Sequence, residues 1–539
     1  MARSALPLVW LLGLAVVILQ ALALAARYFQ PWLSADYIYP QLFAEDVLAG
    51  TYPLAGWTLS SAPYLFPDML AAFGLRLIQG PGPVLSTYVA VYYAALALVL
   101  GWALQRATAT GWSAWIGGVV LVNGLLAWAP VADHAHYLWL LGTLGFHGAV
   151  MLMGLASFAL WAGDPGVAPS PARRTVALAL LIPGLFSDTL FLTQALLPLG
   201  LMLWLQAGRD WRRPRMRAFL IALALALAAV ALIRIGLGVG GWFTFSKVFR
   251  YAPLPAAVAG SAARFVRDVA GVIAPDAWAF AALAAFGLGV GGWCAWPSRR
   301  AAGMPPRLRL ALGWGLLGLA ATTLMPIATV YWRSEQHVRY ILPWLVYPGW
   351  LILAAALPRV GPAPRRGGLA ALGAVFVLLG VAAWPQIRSS ALQVWPHDAQ
   401  VERFDAFVRA RGLRHGLSDY WRAHELNTES RAGVQLFPLR PTARASFWNN
   451  NAFRFYAPGE DGRLVRPLYD FIVTAGLDEA ELRRRFGAPA SCERVGNFDV
   501  WLYAPDAARR LTASMDAEVR AFLHGRPGED RLPSPDRAD

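Results

Sequence analysis

Apolar segments long enough to cross a membrane alternate with short polar segments from the N-terminus to about residue 386. The first of them, at 6–27, holds about 20 mostly apolar residues, the number needed to cross a hydrocarbon layer ~30 Å thick. Further segments show the same pattern, at 83–105, 112–130, 138–161, 175–187, 189–206, 218–238, 277–297, 310–328, 341–357 and 368–386. The pattern therefore predicts a polytopic α-helical membrane domain of about eleven spans, contained in residues 1–389.

Two apolar segments do not fit a simple span. Residues 175–206 have basic residues on both flanks and must cross twice, although each half is short. We predict two short, broken helices that meet at PGLFSD (183–188), an arrangement that only protein or a wet cavity can cover. Residues 62–79 are apolar but include two prolines, Asp68 and Arg76. They are predicted to form an interfacial or re-entrant helix rather than a span.

The chain after about residue 390 has the composition of a soluble domain. DAQVERFDAFVRARGL has apolar residues at helical spacing, HELNTESRAGVQLFPLR predicts a helix followed by a strand, and DEAELRRRFG predicts a helix that ends at a glycine. YDFIVTAGL predicts a buried strand, and VGNFDVWLYAP predicts a closing strand. We therefore expect a small α/β domain at 390–506, followed by a C-terminal helix and flexible tail at 507–539.

The charge distribution fixes the predicted orientation. The net charge of +15 comes largely from arginine clusters in short loops between spans, not from one soluble face, which argues against nucleic-acid binding. Such loops tend to be cytoplasmic, so the N-terminus is predicted to lie inside. The segments predicted to lie outside are then the first outer loop (28–82), the loops at 131–137, 239–276 and 329–340, and everything after about 387.

Candidate functional residues gather in these outer segments and at the tip of the broken hairpin. Carboxylates and cations on one side of a membrane protein indicate a site, because ionisable groups at the membrane edge are usually functional. The carboxylates are Asp36, Glu45, Asp46, Asp68 and Asp188; the VADHAHY loop adds Asp133, His134 and His136; the later loops carry Lys247, Arg250, Arg333, Glu335, His337 and Arg339. His147 lies about two and a half turns into the span that follows VADHAHY.

Several of these residues also have a structural explanation. Glu45 and Asp46 would be solvated on a short amphipathic helix, and Asp68 would cap or solvate the interfacial helix. Two histidines at i and i+2 with an acid do not define a zinc site without a further ligand. Asp36 is the stronger candidate, because serine or asparagine would serve as well in a polar loop at the end of a span.

The outer arginines run against the positive-inside tendency. A guanidinium group binds phosphate with two parallel hydrogen bonds, so these side chains suit an anionic lipid head group at the outer leaflet. Lys247, the only lysine in the chain, lies in the same group.

In organisation the chain resembles the GT-C glycosyltransferases, which take a sugar from a polyprenyl phosphate or pyrophosphate carrier. The resemblance rests on an acid after the first span (LSADYIYP), an interfacial segment (SSAPYLFPD), an arginine-bearing late loop (RSEQHVRYILP), and a C-terminal α/β domain with YW and WNNN motifs. It implies that Asp36 is the catalytic base or orients the acceptor, with Asp46 and Asp68 as further candidate carboxylates. It also implies that Arg333 or Arg339 holds the carrier phosphate.

The resemblance is closest to bacterial dolichyl-phosphate-mannose-type and aminoarabinose-transferase-like members. It implies a multi-pass protein of the bacterial inner membrane with an extracytoplasmic C-terminal domain. The partners would be membrane lipid, a polyprenyl-phosphate-linked sugar and an envelope acceptor. The chain lacks an adjacent acidic pair after the first span and a WWD-type sequence. No cofactor is therefore firmly implied, and a divalent metal stays open.

Two other classes of function remain open from the sequence. A transporter or lipid flippase would also place charged residues near broken helices, but it would not need a large outer domain. A non-catalytic envelope assembly protein would use that domain to bind partners. A nucleotide-sugar donor is disfavoured, because the soluble part has no glycine-rich nucleotide-binding loop.

Overall fold

The computed structural model describes residues 2–28, 35–79, 84–128, 136–245, 255–273, 304–328, 335–360, 366–390, 399–459 and 463–533, together with the single residue 289. Helices dominate these ranges, and most strands belong to the C-terminal part. The structure confirms the predicted combination of a helical membrane domain with a small C-terminal sheet region.

Six helices in the described ranges are long and apolar enough to cross a membrane, by length and composition: Ala5–Tyr28, Val84–Thr108, Pro214–Val239, Pro306–Ala328, Arg339–Arg359 and Gly367–Pro385. Shorter apolar helices lie at Trp112–Trp128, Gly148–Trp161 and Phe191–Gln206. The predicted span at 277–297 lies outside the described residues. These helices are compatible with a multi-pass membrane protein, but they do not establish the predicted total of about eleven spans.

The full bounds of some helices extend beyond these windows. The first helix is Ala2–Tyr28 and the last membrane helix is Arg366–Ser390. The fifth consists of a 3-10 segment, Glu335–Leu345, followed by the α-helix Tyr347–Val360. Shorter helices that flank the membrane domain are Ala35–Ala49, Leu70–Gln79, His136–Gly142 and Pro255–Ile273.

Small residues let the membrane helices approach closely. A Cβ atom on Gly118 would come within 2.6 Å of the Ala97 carbonyl oxygen and of the Gly101 nitrogen, so the two helices touch at the backbone. Buried aromatic rings fill the wider gaps; Trp314 and Trp350 pack edge to face with their centroids 5.5 Å apart. Because lipid tails are as apolar as these side chains, such close packing holds the helices together.

The predicted span at 138–161 is wrong as a single helix. His136–Gly142 ends well before Gly148–Trp161 begins, and the intervening chain contains two residues with left-handed backbone, Gly145 (φ 73°) and His147 (φ 56°). A left-handed residue cannot continue a right-handed helix, so the apolar segment breaks here.

The predicted broken hairpin has its break at Asp188, between Pro171–Ser187 and Phe191–Gln206. The first helix is longer than expected, because it begins at Pro171 rather than at 175, whereas the second begins at Phe191, two residues later than expected. The segment predicted as interfacial contains the α-helix Leu70–Gln79, whose ten residues extend about 15 Å, too short for a crossing.

The helices connect two chemically different ends. At one, here called the arginine end, arginine side chains bind the backbone that follows Gly148–Trp161: Arg106 donates to Ala162 O (3.1 Å) and Arg215 to Trp161 O (2.7 Å). At the other, here called the domain end, the first outer loop meets the C-terminal domain. The helix Val84–Thr108, about 37 Å long, joins the two ends.

A three-stranded sheet joins distant parts of the chain at the domain end. Its central strand, Trp57–Leu59 in the first outer loop, pairs in parallel with Thr244–Phe245 and antiparallel with Asn450–Asn451. The predicted outer loops at 28–82 and 239–276 and the C-terminal domain therefore meet at one end of the molecule.

The C-terminal domain is built on a five-stranded mixed sheet. Its strand order is Gln435–Leu439, His415–Asp419, Phe471–Val473, Phe498–Leu502 and Ser491–Val495, with the first three parallel and the last two antiparallel to their neighbours. Helices Ala399–Arg411 and Tyr420–Glu429 cover one face, and Glu479–Phe486 and Pro505–Leu523 cover the other. Each helix and strand predicted for this region is present; strands His415–Asp419 and Ser491–Val495 were not predicted.

The C-terminal segment is folded further than the sequence predicts. Helix Pro505–Leu523 buries Leu511 and Met515 against the sheet. Beyond it, Arg526 donates to Ala55 O (3.0 Å) and Arg531 to Thr51 O (2.8 Å) in the first outer loop. The tail predicted to be flexible is thus folded to residue 533, and the last six residues lie outside the described part of the chain.

Candidate active site

The first charged pair of the site joins the first outer loop to a late span. Asp36 lies in the first turn of Ala35–Ala49, where the positive end of the helix dipole favours a carboxylate. Arg339 Nη1 donates to Asp36 Oδ2 at 3.3 Å, and the guanidinium lies over the rings of Tyr340 and Phe146. Burial raises the pKa of Asp36 and the neighbouring Arg339 opposes that rise, with burial the larger effect.

Asp68 holds the break in the helices beside this pair. Its carboxylate accepts hydrogen bonds from Tyr88 Oη (2.5 Å) and from Gly145 N (2.9 Å). Gly145 has left-handed backbone, which favours glycine. The position also has no room for a side chain, because a Cβ atom there would come within 2.5 Å of the Asp36 carbonyl oxygen. Burial raises the pKa of Asp68 to about 6 although both hydrogen bonds lower it. Asp68 therefore positions the Asp36 segment and does not line the cavity described below.

A second polar chain consists of Tyr64, His147 and Asp188. Tyr64 Oη lies 2.9 Å from His147 Nε2, and His147 Nδ1 lies 2.5 Å from Asp188 Oδ2. The other Asp188 oxygen accepts from Leu190 N (2.9 Å), which fixes the carboxylate at the start of the next helix. All three side chains are buried, and the arrangement can pass a proton from the tyrosine hydroxyl toward the carboxylate.

Tyr64 and His147 both have left-handed backbone, with φ of 52° and 56°. This conformation costs a non-glycine residue on the order of 1 kcal/mol or more and is concentrated at functional sites. Two hydrogen bonds tie the first outer loop to the helix end before Asp188: Tyr64 N donates to Ser187 O (3.2 Å), and Phe66 N donates to Ser187 Oγ (2.7 Å). The helix break at Asp188 and the loop therefore support each other.

The Asp36–Arg339 pair and the Tyr64–His147–Asp188 chain line one cavity that is open on one side. The cavity lies at the domain end and has charged, hydroxyl-bearing and apolar parts. Its lining comprises Asp36, Ser60, Ser61, Ala62, Tyr64, Gly145, His147, Asp188, Thr189, Leu190, Met325, Pro326, Arg339, Tyr340, Trp448 and Asn449. Residues more than 400 positions apart in sequence thus share one cavity.

Asp46, predicted as a catalytic carboxylate, occupies a different place. Asp46 Oδ2 accepts from Trp57 Nε1 (2.9 Å) and Asn451 Nδ2 (2.8 Å), and Oδ1 accepts from Arg454 Nε (3.0 Å) and Nη2 (2.7 Å). It does not line the cavity. Because both of its oxygens are engaged, we assign Asp46 a structural role in docking the C-terminal domain. Glu45 pairs with Arg76 at 3.3 Å beside it.

Other predicted residues lie outside the part of the chain that the structure describes. These are the substrate-binding candidates Asp133, His134, Lys247, Arg250 and Arg333. For His136, Glu335 and His337 the structure gives the helices His136–Gly142 and Glu335–Leu345 to which they belong, and no side-chain placement. Of the predicted site residues, the structure brings Asp36, Asp188 and Arg339 together around the cavity, with His147 between them.

Sequence reasoning missed Tyr64, Gly145, Trp448 and Asn449 as site residues. The glycines of LGTLGFHG were the available signal for a helix break near His147. In the described residues, no group of three or more histidine, cysteine, aspartate or glutamate side chains is placed to hold a metal ion.

Comparison with known proteins adds no family to these observations. No protein-family model matches the sequence, and no curated protein matches it.

Proposed function

We propose that the chain is an integral membrane glycosyltransferase that moves a sugar from a polyprenyl-(pyro)phosphate carrier to an envelope acceptor. The observation that carries the proposal is the pairing of Asp36 with Arg339, at 3.3 Å, in a cavity at the end of the membrane helices. A carboxylate and a guanidinium in one cavity supply a base and an anion-binding group for the same reaction.

The position of Arg339 favours a lipid-linked donor. Arg339 is the first residue of an apolar segment long enough to span a membrane. If that segment spans the membrane, its end is near the lipid head groups, which supports a lipid-linked donor. Met325 and Pro326, from the outer part of a second such helix, line the same cavity and offer an apolar surface. A soluble anion would not need that surface.

The proposed reaction uses these residues in named roles. Asp36 accepts the proton of an acceptor hydroxyl, whose oxygen forms a bond to the anomeric carbon of the donor sugar. The bond between that carbon and the phosphate oxygen breaks, and its electron pair stays on the polyprenyl phosphate. Arg339 moves from Asp36 to the phosphate as negative charge develops there, which leaves Asp36 available as the base.

Tyr64 gives the cavity a second group for proton transfer. Its hydroxyl is backed by His147 and Asp188, so its oxygen can accept the proton of a substrate hydroxyl while its own proton passes to the imidazole. This chain supports the proposal of acid–base chemistry, since a purely structural cluster would not need hydroxyl, imidazole and carboxylate in series.

Asp36→Asn tests the proposal, with purified full-length protein in nanodiscs and a panel of undecaprenyl-phosphate sugars. An extract of envelope glycolipids serves as acceptor. We expect turnover to fall by about 10² or more at unchanged thermal stability, because asparagine is nearly isosteric but cannot accept the proton. In the parent, kcat/KM should fall on the acid side at a pH above the ordinary aspartate range, because the pKa of Asp36 is raised.

Asp499→Asn is the matched control, because Asp499 forms an exposed pair with Arg494 at 2.7 Å. It should leave turnover unchanged. Parent-like turnover in Asp36→Asn would show that the base is another residue. Movement of a fluorescent lipid-linked sugar across vesicles, without transfer from any donor, would instead identify a transporter or flippase.

A further inference from the structure

The WNNN sequence, residues 448–451, attaches the C-terminal domain to the cavity. Asn450 and Asn451 pair with Thr58 and Trp57 in the three-stranded sheet. This pairing brings the two preceding residues, Trp448 and Asn449, to the cavity wall opposite the membrane helices. The proposed function above assigns no role to them.

Asn449 is a buried residue whose side-chain oxygen is unpaired among the described residues. It is 2% exposed, and among the described residues its Oδ1 atom has no hydrogen-bond donor. A buried carbonyl without a partner is costly and rare. Its backbone is also left-handed, with φ of 46°, which an asparagine tolerates but most residues do not. The unpaired carbonyl oxygen indicates that a ligand group completes this site.

Aromatic rings surround the neighbouring residue, Trp448. The Trp448 ring lies with its centroid 4.9 Å from that of Tyr420 and 6.2 Å from that of Trp421. Tyr420 packs in turn against His424, with centroids 4.8 Å apart. Burial lowers the pKa of His424 to about 3, so this histidine is neutral at physiological pH. Among the described residues, the C-terminal domain contributes Trp448 and Asn449 to the cavity lining, an aromatic and an amide side chain without charge.

We propose that Trp448 and Asn449 form a binding subsite for a sugar ring at the mouth of the cavity. A pyranose presents C–H groups that pack on an aromatic face, and hydroxyls that donate to an amide oxygen. The subsite rests on the proposed function only for the source of the sugar, which is either the donor's own sugar or a glycan acceptor. The neutral wall of the C-terminal domain and the charged wall of the membrane domain would then hold different parts of one substrate pair.

Binding measurements test the subsite without catalysis. Full-length protein in nanodiscs is examined by saturation-transfer NMR with methyl glycosides of mannose, glucose, galactose and N-acetylglucosamine. Titrations with farnesyl phosphate and farnesyl phosphomannose form a second arm. We expect Trp448→Ala to weaken saccharide binding about tenfold and Trp448→Phe to restore most of it, because an aromatic contact is lost and regained. Asn449→Gly keeps the left-handed backbone and removes the amide, and it should also weaken binding.

Trp421→Ala is the control, because Trp421 contacts Trp448 but is 47% exposed and does not line the cavity. It should bind as the parent does. If Trp448→Ala weakens binding of the phosphomannose but not of farnesyl phosphate, the subsite holds the donor sugar. If it leaves both unchanged and raises the KM for a glycan acceptor, the subsite holds the acceptor.

The outcomes separate this inference from the proposed function. Saccharide binding that depends on Trp448, in a protein without transferase activity, would keep the subsite and reject the function. Transfer activity with parent-like saccharide affinity and KM values in Trp448→Ala and Asn449→Gly, both folded by thermal melting, would reject the subsite and keep the function.

Discussion

Two buried aspartates of the first outer loop have different surroundings, which suit them to different roles. Asp36 lines the cavity and pairs with Arg339, the cation that in our proposal moves to the substrate phosphate. Asp68 is enclosed between a tyrosine hydroxyl and a backbone amide. The first arrangement suits a base, and the second suits a support for the chain that carries it.

Replacement of Arg339 tests the carrier site. Arg339→Lys should already weaken use of a polyprenyl-phosphate sugar, because an ammonium group loses the bidentate fork. Arg339→Ala should cost about 2–5 kcal/mol in kcat/KM. Steady-state transfer assays measure both, with Arg411→Lys as control, since Arg411 pairs with Glu493 on the protein surface. Unchanged kinetics in both Arg339 variants would point to Lys247 and Arg250 as the phosphate site.

Asp68 should make stability depend on pH. Its pKa is raised from 3.8 to about 6 in the folded protein, so the fold binds this proton more tightly than the unfolded chain does. The contribution is fully present below about pH 4 and is lost as pH rises through about 6, a loss of about 3 kcal/mol. In Asp68→Asn this loss should disappear. The melting temperature of the variant minus that of the parent should therefore increase as the pH is raised from 4 to 7. A constant difference across that range would contradict the prediction.

At the scale of elements, hydropathy predicts spans better than it predicts their interruptions. The break between Gly142 and Gly148 occurs in a stretch that is nearly as apolar as the helices around it, so the pattern shows no gap. The break at Asp188 was predictable because basic flanks required two crossings. A hydropathy pattern records burial in lipid, whereas a left-handed residue such as His147 is set by neighbours distant in sequence.

The docking of the C-terminal domain depends on Asp46. Its side chain is 2% exposed and binds Trp57, Asn451 and Arg454. Asp46→Ala should leave these donors without an acceptor and destabilise the docked domain by about 2 kcal/mol or more. Limited proteolysis and thermal melting would measure the change.

Asp499→Ala removes a carboxylate from an exposed pair and should cost about 1 kcal/mol or less. Equal protease sensitivity in Asp46→Ala and Asp499→Ala would rule out Asp46 as the docking residue.

At the scale of the whole molecule, the two ends should lie on opposite sides of a membrane. The arginine end is expected to be cytoplasmic, and the domain end to be outside. Reporters fused after residue 390 should be active outside the cytoplasm, whereas those fused at about 212 and 303 should be active inside. A cytoplasmic signal from the fusion at 390 would reverse the orientation and the assignment of the cavity to the outer face.

The sequence predicted only one side of the cavity. Asp36, Asp188 and Arg339 were predicted from their places at the ends of apolar segments. Trp448 and Asn449 were not, because their approach depends on strand pairing between segments some 400 residues apart, exemplified by Trp57 and Asn451. No local sequence pattern encodes such a register, so the cavity wall formed by Trp448 and Asn449 could be identified only from the folded structure.

The late position of Trp448 and Asn449 in the chain sets an order of biosynthesis. The ribosome has made Asp36, His147, Asp188 and Arg339 long before it reaches residue 448. Any shorter chain carries the charged groups in a cavity that lacks one wall. Synthesis of the C-terminal domain therefore acts as the last step of assembly, and only a chain made to that point contains both walls of the cavity.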